Sequence, residues 1–147
     1  MEYWKFKAID KLRDHTLKQA ALINLPDEIR RLEIEAQSIK SATTDGDPVK
    51  DGGNGREDRL INNIVMREEL KLMLSMARLS VDMVDRGLSP LDQDDKYILN
   101  EMYINKTSGS KERLMSKFSL AEESSLYKRT NKALLRFTIA MYGLTEY

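Results

Sequence analysis

The sequence predicts an all-α protein, in which an N-terminal long-helix hairpin or coiled-coil-like stalk is followed by a small helix-turn-helix domain. The 147 residues include only 3 prolines and 7 glycines, and these fall in clusters. The stretches between the clusters are rich in strong helix formers, and their apolar residues recur at helical spacing. We expect the stalk over 1–86, with a Gly-rich loop at 43–55, the helix-turn-helix domain over 88–143 and a tail at 144–147.

Composition excludes several classes of function. The chain has no cysteine, which excludes disulfides, thiolate nucleophiles and cysteine-based zinc sites. Its single histidine, His15, cannot form a metal-binding cluster, and we expect it on a helix surface. No apolar run approaches the roughly 18 residues that cross a bilayer, and the charged start MEYWKFKAIDKLRD lacks the pattern of a signal peptide. We therefore expect a cytoplasmic protein without a membrane partner.

The N-terminal half is predicted to hold three helices. The first runs from Trp4 to about Ala21, and Pro26, which precedes two acids, is typical of the first turn of a second helix. The third helix runs from about Arg56 to Arg86, where Gly87 is expected as a left-handed cap. Because a helix this long needs a partner, we expect a hairpin with the second helix or a homo-oligomer through the long helices. The apolar stripe that such a partner would cover consists of Ile61, Val65, Leu72, Met76, Leu79 and Met83.

The C-terminal half is polarised in charge. Residues 82–101 contain six acidic and two basic side chains, whereas residues 106–136 contain eight basic and three acidic ones. Ser89 and Pro90 are predicted to open a fourth helix as its N-cap and first residue. Three aspartates near this helix start lack the glycine and glutamate of a calcium loop, so we interpret them as helix-start residues. They are Asp92, Asp94 and Asp95.

Residues 110–143 predict a helix, a turn and a second helix. Ser110 should cap a short helix, Ser119 marks a break, and a longer helix should begin near Ala121. In DNA-binding proteins with this motif, the second helix enters the major groove. The expected inward residues are Leu126, Ala133, Leu134, Phe137 and Ile139, and the exposed ones are Glu122, Ser124, Ser125, Tyr127, Lys128 and Asn131. These exposed residue types bind base edges and phosphates, although a helical hairpin with a solvated basic face is the alternative interpretation.

Four segments carry a family resemblance. Three of them resemble region 4 of sigma-70-type factors, namely LSPLDQDDKYILNEMYI, SKERLMSKFS and SSLYKRTNKALLRF. The fourth is similar to the leader of the phage and prophage ArpU/RinA-type late transcription regulators, and it reads LPDEIRRLEIEAQSIKSATTDGDPVKDGGNGREDRLIN. The resemblance implies a sigma-region-4-like fold, promoter DNA binding and contact with RNA polymerase. It implies that Ser124, Ser125, Tyr127 and Lys128 face DNA. The turn Ser119-Leu120-Ala121 departs from the family by lacking its usual glycine.

The leading prediction is a phage-derived transcriptional regulator in the cytoplasm of a bacterial host, with double-stranded DNA as its partner. The alternatives are a phage DNA-packaging or assembly component with small-terminase-like DNA recognition, and a protein-interaction module that binds no DNA. No catalytic triad, metal cluster or phosphate loop is visible, so we expect neither enzymatic activity nor a cofactor. The predicted base-facing residues are Ser124, Ser125, Tyr127, Lys128 and Asn131, and the predicted phosphate contacts are Lys111, Arg113, Lys117, Lys132 and Arg136.

Overall fold

The computed structural model describes residues 2–41 and 52–143. These residues form five α-helices and a π-helical segment, with no strand among them, so the all-α prediction is confirmed. The helices are α1 (Glu2–Ser41), α2 (Gly52–Leu88), α3 (Gln93–Leu99), α4 (Ser110–Lys117) and α5 (Glu123–Tyr142), and the π-helical segment Asn100–Ile104 continues α3. Of the described residues, 2–19 and 79–143 form one compact unit, while 20–41 and 52–78 form another.

The unit of residues 20–41 and 52–78 is a pairing of the later part of α1 with the earlier part of α2. On α1, Ile29, Leu32, Ala36 and Ile39 are all buried, which confirms the narrow apolar seam expected there. Asn63 on α2 is buried too, and its Nδ2 donates to the backbone oxygen of Leu32 at 2.8 Å. This bond satisfies a polar group inside the seam and aligns the two helices.

The predicted break at Pro26 is wrong, because α1 continues through it. A proline inside a helix removes one backbone hydrogen bond and crowds the carbonyl four residues earlier. Pro26 is exposed, however, so its ring lies outside the buried seam of the helix pair. Ile29 and Leu32, which follow it, are buried in the seam, and their burial favours helical backbone on that side.

The apolar stripe predicted on α2 is not the face that packs within the chain, so of the two expected partners the second helix does not cover it. Ile61, Val65, Leu72 and Met76 are between 49% and 63% exposed, and Leu79 is 58% exposed. The buried positions are instead Asn63, Ala77, Val81 and Val84. At 100° per residue, those positions lie roughly opposite the predicted stripe. α2 is apolar on two sides, and periodicity alone cannot say which side packs.

The segments around the long helices differ in detail from expectation. Residues 43–51 of the predicted loop lie outside the described residues, and Gly52 and Gly55 belong to the first turn of α2. Gly87 is not a left-handed cap, since α2 continues to Leu88 and the one described glycine with positive φ is Gly143, at 65°. Gly87 is needed for close packing instead: an added Cβ would lie 2.8 Å from Met141 Sδ and 2.9 Å from Phe137 Cε1.

The predicted start of the fourth helix at Ser89 and Pro90 is wrong by three residues. α3 begins at Gln93, and its N-cap is Asp92, whose Oδ1 accepts the backbone N–H of Asp95 at 2.8 Å. Residues 88–91 form a turn instead, in which the N–H of Leu91 donates to the carbonyl of Leu88 at 3.0 Å, and Asp92 then satisfies the N–H of the third helical residue, as N-cap aspartates do. The interpretation of the three aspartates as helix-start residues is confirmed.

His15 is buried rather than on the surface. It is 5% exposed, and its Nε2 lies 3.2 Å from Asp85 Oδ1. The reason is its spacing from two fully buried residues of α1, Ala8 and Leu12, which places all three on one helix face.

The unit of residues 2–19 and 79–143 has one hydrophobic core, to which every helix contributes. α5 provides the largest share, with Phe137 as the largest fully buried side chain. The core residues are Ala8, Leu12, Val84, Leu91, Ile98, Leu99, Met102, Leu114, Leu126, Ala133, Leu134 and Phe137.

The contact at Gly87 predicts a loss of stability for Gly87→Ala. Because Phe137 is fully buried and cannot easily move, overpacking should lower the free energy of unfolding by about 1–3 kcal/mol. Gly55→Ala is the matched control, since an added Cβ there meets nothing within 4 Å and alanine is a better helix former than glycine. Urea unfolding followed by circular dichroism measures both. Equal stability of Gly87→Ala and wild type would contradict the packing described.

Candidate nucleic-acid interface

The helix-turn-helix arrangement expected at the C-terminal end is present as α4, a turn over 118–122, and α5. Its boundaries differ slightly from prediction. Gly109 occupies the N-cap of α4 without a side-chain bond, and Ser110 is the first helical residue. Ser110 is buried, and its Oγ accepts the backbone N–H of Thr107 at 2.8 Å. The serine therefore secures the segment before α4 rather than capping the helix.

The turn is closed by Ser119, which has a left-handed backbone with φ of 54°. The N–H of Leu120 donates to the carbonyl of Met115 at 2.8 Å, and the N–H of Ser119 donates to that of Ser116 at 3.3 Å. These two bonds form a Schellman motif, in which the left-handed position is usually a glycine. Ser119 thus occupies the place of the glycine that the sequence lacks.

The inner face of α5 agrees with the sequence at four of five positions. Leu126, Ala133, Leu134 and Phe137 are buried. Ile139 is 37% exposed, so its predicted burial is wrong. It lies two residues after Phe137, a rotation of about 200°, and therefore points away from the core.

The predicted base-facing residues share the outer side of α5. Ser124, Lys128 and Asn131 are exposed and follow each other at spacings of four and three, so they lie along one line. Tyr127 is 45% exposed and lies toward α4, where the Lys111 Nζ is 5.5 Å from the centroid of its ring. Ser125 is half-buried and belongs to the opposite edge of this face.

The three lysines predicted to contact phosphates differ in how they are held. Lys111 Nζ lies 3.6 Å from Glu123 Oε1, and the pKa of Lys111 is raised, first by a hydrogen bond with Tyr127 and then by the charge of Glu123. Lys117 Nζ lies 4.7 Å from the centroid of the Tyr97 ring. Lys132 is exposed and has no ion pair within the described part of the chain.

The two predicted arginine contacts form ion pairs between elements. Arg113 Nη2 donates to Glu101 Oε2 at 2.8 Å and so joins α4 to the π-helical segment. This hydrogen bond lowers the pKa of Glu101 and raises the pKa of Arg113. Arg136 Nη1 donates to Asp95 Oδ2 at 2.7 Å, which joins α5 to α3 and raises the pKa of Arg136. Both arginines remain about half exposed, so each keeps donors on its outer side.

A groove of about 400 Å³ lies between the start of α3 and α5. One wall is acidic and the other is basic, because the acidic and basic segments of the sequence meet here. The groove is lined by Asp92, Asp94, Asp95, Ser125, Lys128, Arg129, Lys132 and Arg136.

Arg129 is a basic residue of this groove that sequence reasoning missed. Its Cζ lies 4.0 Å from the centroid of the Phe118 ring, and its Nη2 lies 3.5 Å from Asp94 Oδ2. Phe118 in turn packs edge-to-face with Tyr97, with 6.4 Å between the ring centroids. The available signal was the repeat of basic residues on one side of α5, at 129, 132 and 136.

Other kinds of site are not found in the described residues. Across 2–41 and 52–143, no three metal-binding side chains come together. In the same ranges, no helix has an apolar stretch long enough to cross a membrane. Comparisons of the chain with protein families, curated proteins and solved structures find no match.

The left-handed Ser119 predicts that Ser119→Gly stabilises the protein. A residue other than glycine in the left-handed conformation costs roughly 1–2 kcal/mol. Glycine removes this cost but loses more conformational entropy on folding, which offsets part of the gain. The free energy of unfolding should therefore rise by about 0.5–1 kcal/mol. Ser116→Gly, at an exposed position inside α4, should instead lower it by a similar amount. Thermal and urea unfolding measure both changes. A destabilised Ser119→Gly would show that the turn does not have this conformation in solution.

Proposed function

We propose that the chain is a phage-derived transcriptional regulator that binds double-stranded promoter DNA through α5. The observation that carries this proposal is the outer face of α5. Its inner face is buried in the core, while Ser124, Lys128 and Asn131 form an exposed line on the other side. Lys128 and Lys132 have no ion pair among the described residues, so their charges are available to a partner.

The chemistry of this face suits the major groove of DNA. A single helix fits into that groove, and α5 is preceded by a turn and a shorter helix, as in DNA-binding helix-turn-helix proteins. In this proposal Asn131 pairs with adenine, Lys128 reaches guanine or a phosphate, and the serine hydroxyls at 124 and 125 bind either base edges or phosphates. Tyr127 adds a contact at the edge of α5 that faces α4.

The cations around this line supply the contacts with the DNA backbone. Lys132 is free to bind a phosphate, and Lys111 and Lys117 extend the basic surface onto α4. Arg113 and Arg136 are bound to Glu101 and Asp95, but their outward N–H groups can still donate to phosphate oxygens. The likeness of three segments to sigma-70 region 4, and of a fourth to the leader of ArpU/RinA-type regulators, supports a role in transcription, in the cytoplasm of a bacterial host and with RNA polymerase as a further partner.

The double substitution Lys128→Ala/Lys132→Ala tests DNA binding. If each lysine neutralises one phosphate, the slope of log K against log salt should become shallower by about 1.8. Fluorescence anisotropy with a labelled duplex, repeated at several salt concentrations, measures the affinity and the slope together. Affinity should fall most at low salt.

The matched control is Lys11→Ala/Lys18→Ala, which removes the same charge from α1, where no ion pair is described for either lysine. We expect this control to bind DNA as wild type does. The assigned surface is wrong if the α5 double substitution leaves both affinity and slope unchanged. Binding of polymerase by a wild-type chain that has no affinity for DNA would favour the protein-interaction alternative.

Self-association through the long helices belongs to the same proposal. Ile61, Val65, Leu72 and Met76 form an exposed apolar stripe on α2 within the unit of residues 20–41 and 52–78. Val65 and Leu72 are seven residues apart, as in helices that pair with a second copy, and apolar stripes of this length are uncommon on the surface of monomers. A dimer through α2 would cover the stripe and present two DNA-binding faces.

Leu72→Glu tests this pairing. A charge in the middle of the stripe should convert a dimer into a monomer, as measured by sedimentation or by light scattering. Arg78→Glu, on an exposed position of α2 outside the stripe, should leave the mass unchanged. A monomeric wild-type protein would refute the pairing, and a large closed ring would favour the packaging alternative.

A further inference from the structure

We propose that Arg129 is a further phosphate-binding residue. In the free protein Asp94 occupies the place of the phosphate on Arg129, and Arg129 releases Asp94 when DNA binds. This inference rests on the proposed function, because it requires that the chain binds DNA. It assigns a role to two residues of the groove between α3 and α5 that the proposed interface does not otherwise use.

Arg129 is positioned by an aromatic ring rather than by a strong ion pair. Its guanidinium lies 4.0 Å from the centroid of Phe118, and Phe118 is itself supported by the edge-to-face contact with Tyr97. A ring face attracts the positive charge but accepts few of its hydrogen bonds. An arginine has five N–H donors, so most donors of Arg129 remain available to an anion while the side chain is held in place.

The bond between Arg129 and Asp94 is weak compared with its neighbour in the same groove. Arg129 Nη2 lies 3.5 Å from Asp94 Oδ2, at the outer limit of a hydrogen bond, whereas Arg136 Nη1 lies 2.7 Å from Asp95 Oδ2. The Asp94 side chain is 56% exposed, whereas that of Asp95 is 7% exposed. The Asp95 pair is therefore a structural link, and the Asp94 pair can exchange with a solvent anion.

The charges around Arg129 favour a phosphate over Asp94. Four basic and three acidic side chains line the groove. Two of the acids are engaged, since Asp92 caps α3 and Asp95 binds Arg136. A phosphate that reached Arg129 would also meet Lys128 and Lys132, whose charges have no ion pair among the described residues, and could accept from the Ser125 hydroxyl.

The position of Arg129 on α5 matches a contact with the DNA backbone rather than with bases. It follows Lys128, so its side chain leaves the helix about 100° from that lysine and still farther from Ser124 and Asn131, on the side of α5 that also carries Lys132 and Arg136. When the line of Ser124, Lys128 and Asn131 faces the bases, a long side chain on this flank can reach only the phosphates at the groove wall.

The test compares Arg129→Gln, Asp94→Asn and the double substitution by anisotropy with a labelled duplex at several salt concentrations. Arg129→Gln should weaken binding and make the salt slope shallower by about 0.9, the value for one phosphate. Asp94→Asn should tighten binding by about two- to five-fold, the range for loss of a competing surface pair, with the slope unchanged. In the Arg129→Gln background, Asp94→Asn should bring no gain.

The double substitution separates exchange from simple repulsion. If Asp94 only repels DNA through space, its removal should help equally with and without Arg129, and the proposed exchange would then be refuted. Asp82→Asn removes one acid from α2 outside the groove, and it should bind as wild type does. Arg129→Lys keeps the charge and should keep most of the salt slope. Thermal unfolding of each variant confirms that it is folded.

The two proposals fail in different ways. If wild type binds no duplex even at low salt, the proposed function itself is wrong. If wild type binds and Lys128→Ala/Lys132→Ala weakens binding, while Arg129→Gln and Asp94→Asn leave affinity and slope unchanged, DNA binding stands and the role of Arg129 and Asp94 is refuted.

Discussion

The burial of one face of α5 is the constraint on which the C-terminal structure depends. Leu126, Leu134 and Phe137 are almost completely removed from water, and each such side chain contributes about 1.5–3 kcal/mol through burial. Because these side chains are fixed in the core, the orientation of α5 about its own axis is fixed too. Ser124, Lys128 and Asn131 are consequently exposed together, and the candidate interface is a result of core packing rather than of any contact among its own residues.

Charge has a second organising role, because the acidic and basic segments of the C-terminal half fold against each other. Asp94, Asp95 and Glu101 pair with Arg129, Arg136 and Arg113 respectively. Each pair joins two elements, and the partners are 35, 41 and 12 residues apart in the sequence. Much of the positive charge counted between residues 106 and 136 is therefore engaged within the protein, and the basic surface available to a partner is smaller than the composition suggests, with Lys128 and Lys132 at its centre.

The sequence predicts the helices better than it predicts which side of them packs. Spacing alone predicts the buried residues of α5 and the buried seam of α1, because in each case one face is apolar while the opposite face is not. The seam of α1 consists of Ile29, Leu32, Ala36 and Ile39. α2 is apolar on two sides, so its spacing left the choice open. Pro26 shows that a local rule can yield to tertiary context, whereas Ile139 is exposed because helical periodicity itself places it off the inner face of α5. The exposed line of Ser124, Lys128 and Asn131 was predictable from the periodicity of α5. The contact of the Arg129 guanidinium with the Phe118 ring was not, because it depends on how the turn joins α4 to α5.

The π-helical segment makes the chain between α3 and α4 tolerant of a change in length. The N–H of Asn105 donates to the carbonyl of Asn100 at 2.8 Å, five residues back, so this turn holds one residue more than an α-helical turn. A gene lacking a single codon here would still encode a regular helix, and the ladder of backbone bonds would close without a gap. Because the five residues of a π-helical turn span about the same rotation as four residues of an α-helical turn, the chain before and after the deletion would keep nearly the same orientation, and only side chains of the turn itself, such as Glu101 and Met102, would change neighbours. A one-residue length change should therefore be tolerated better at this place than inside the regular α-helices, where it would rotate one part of the helix against the other.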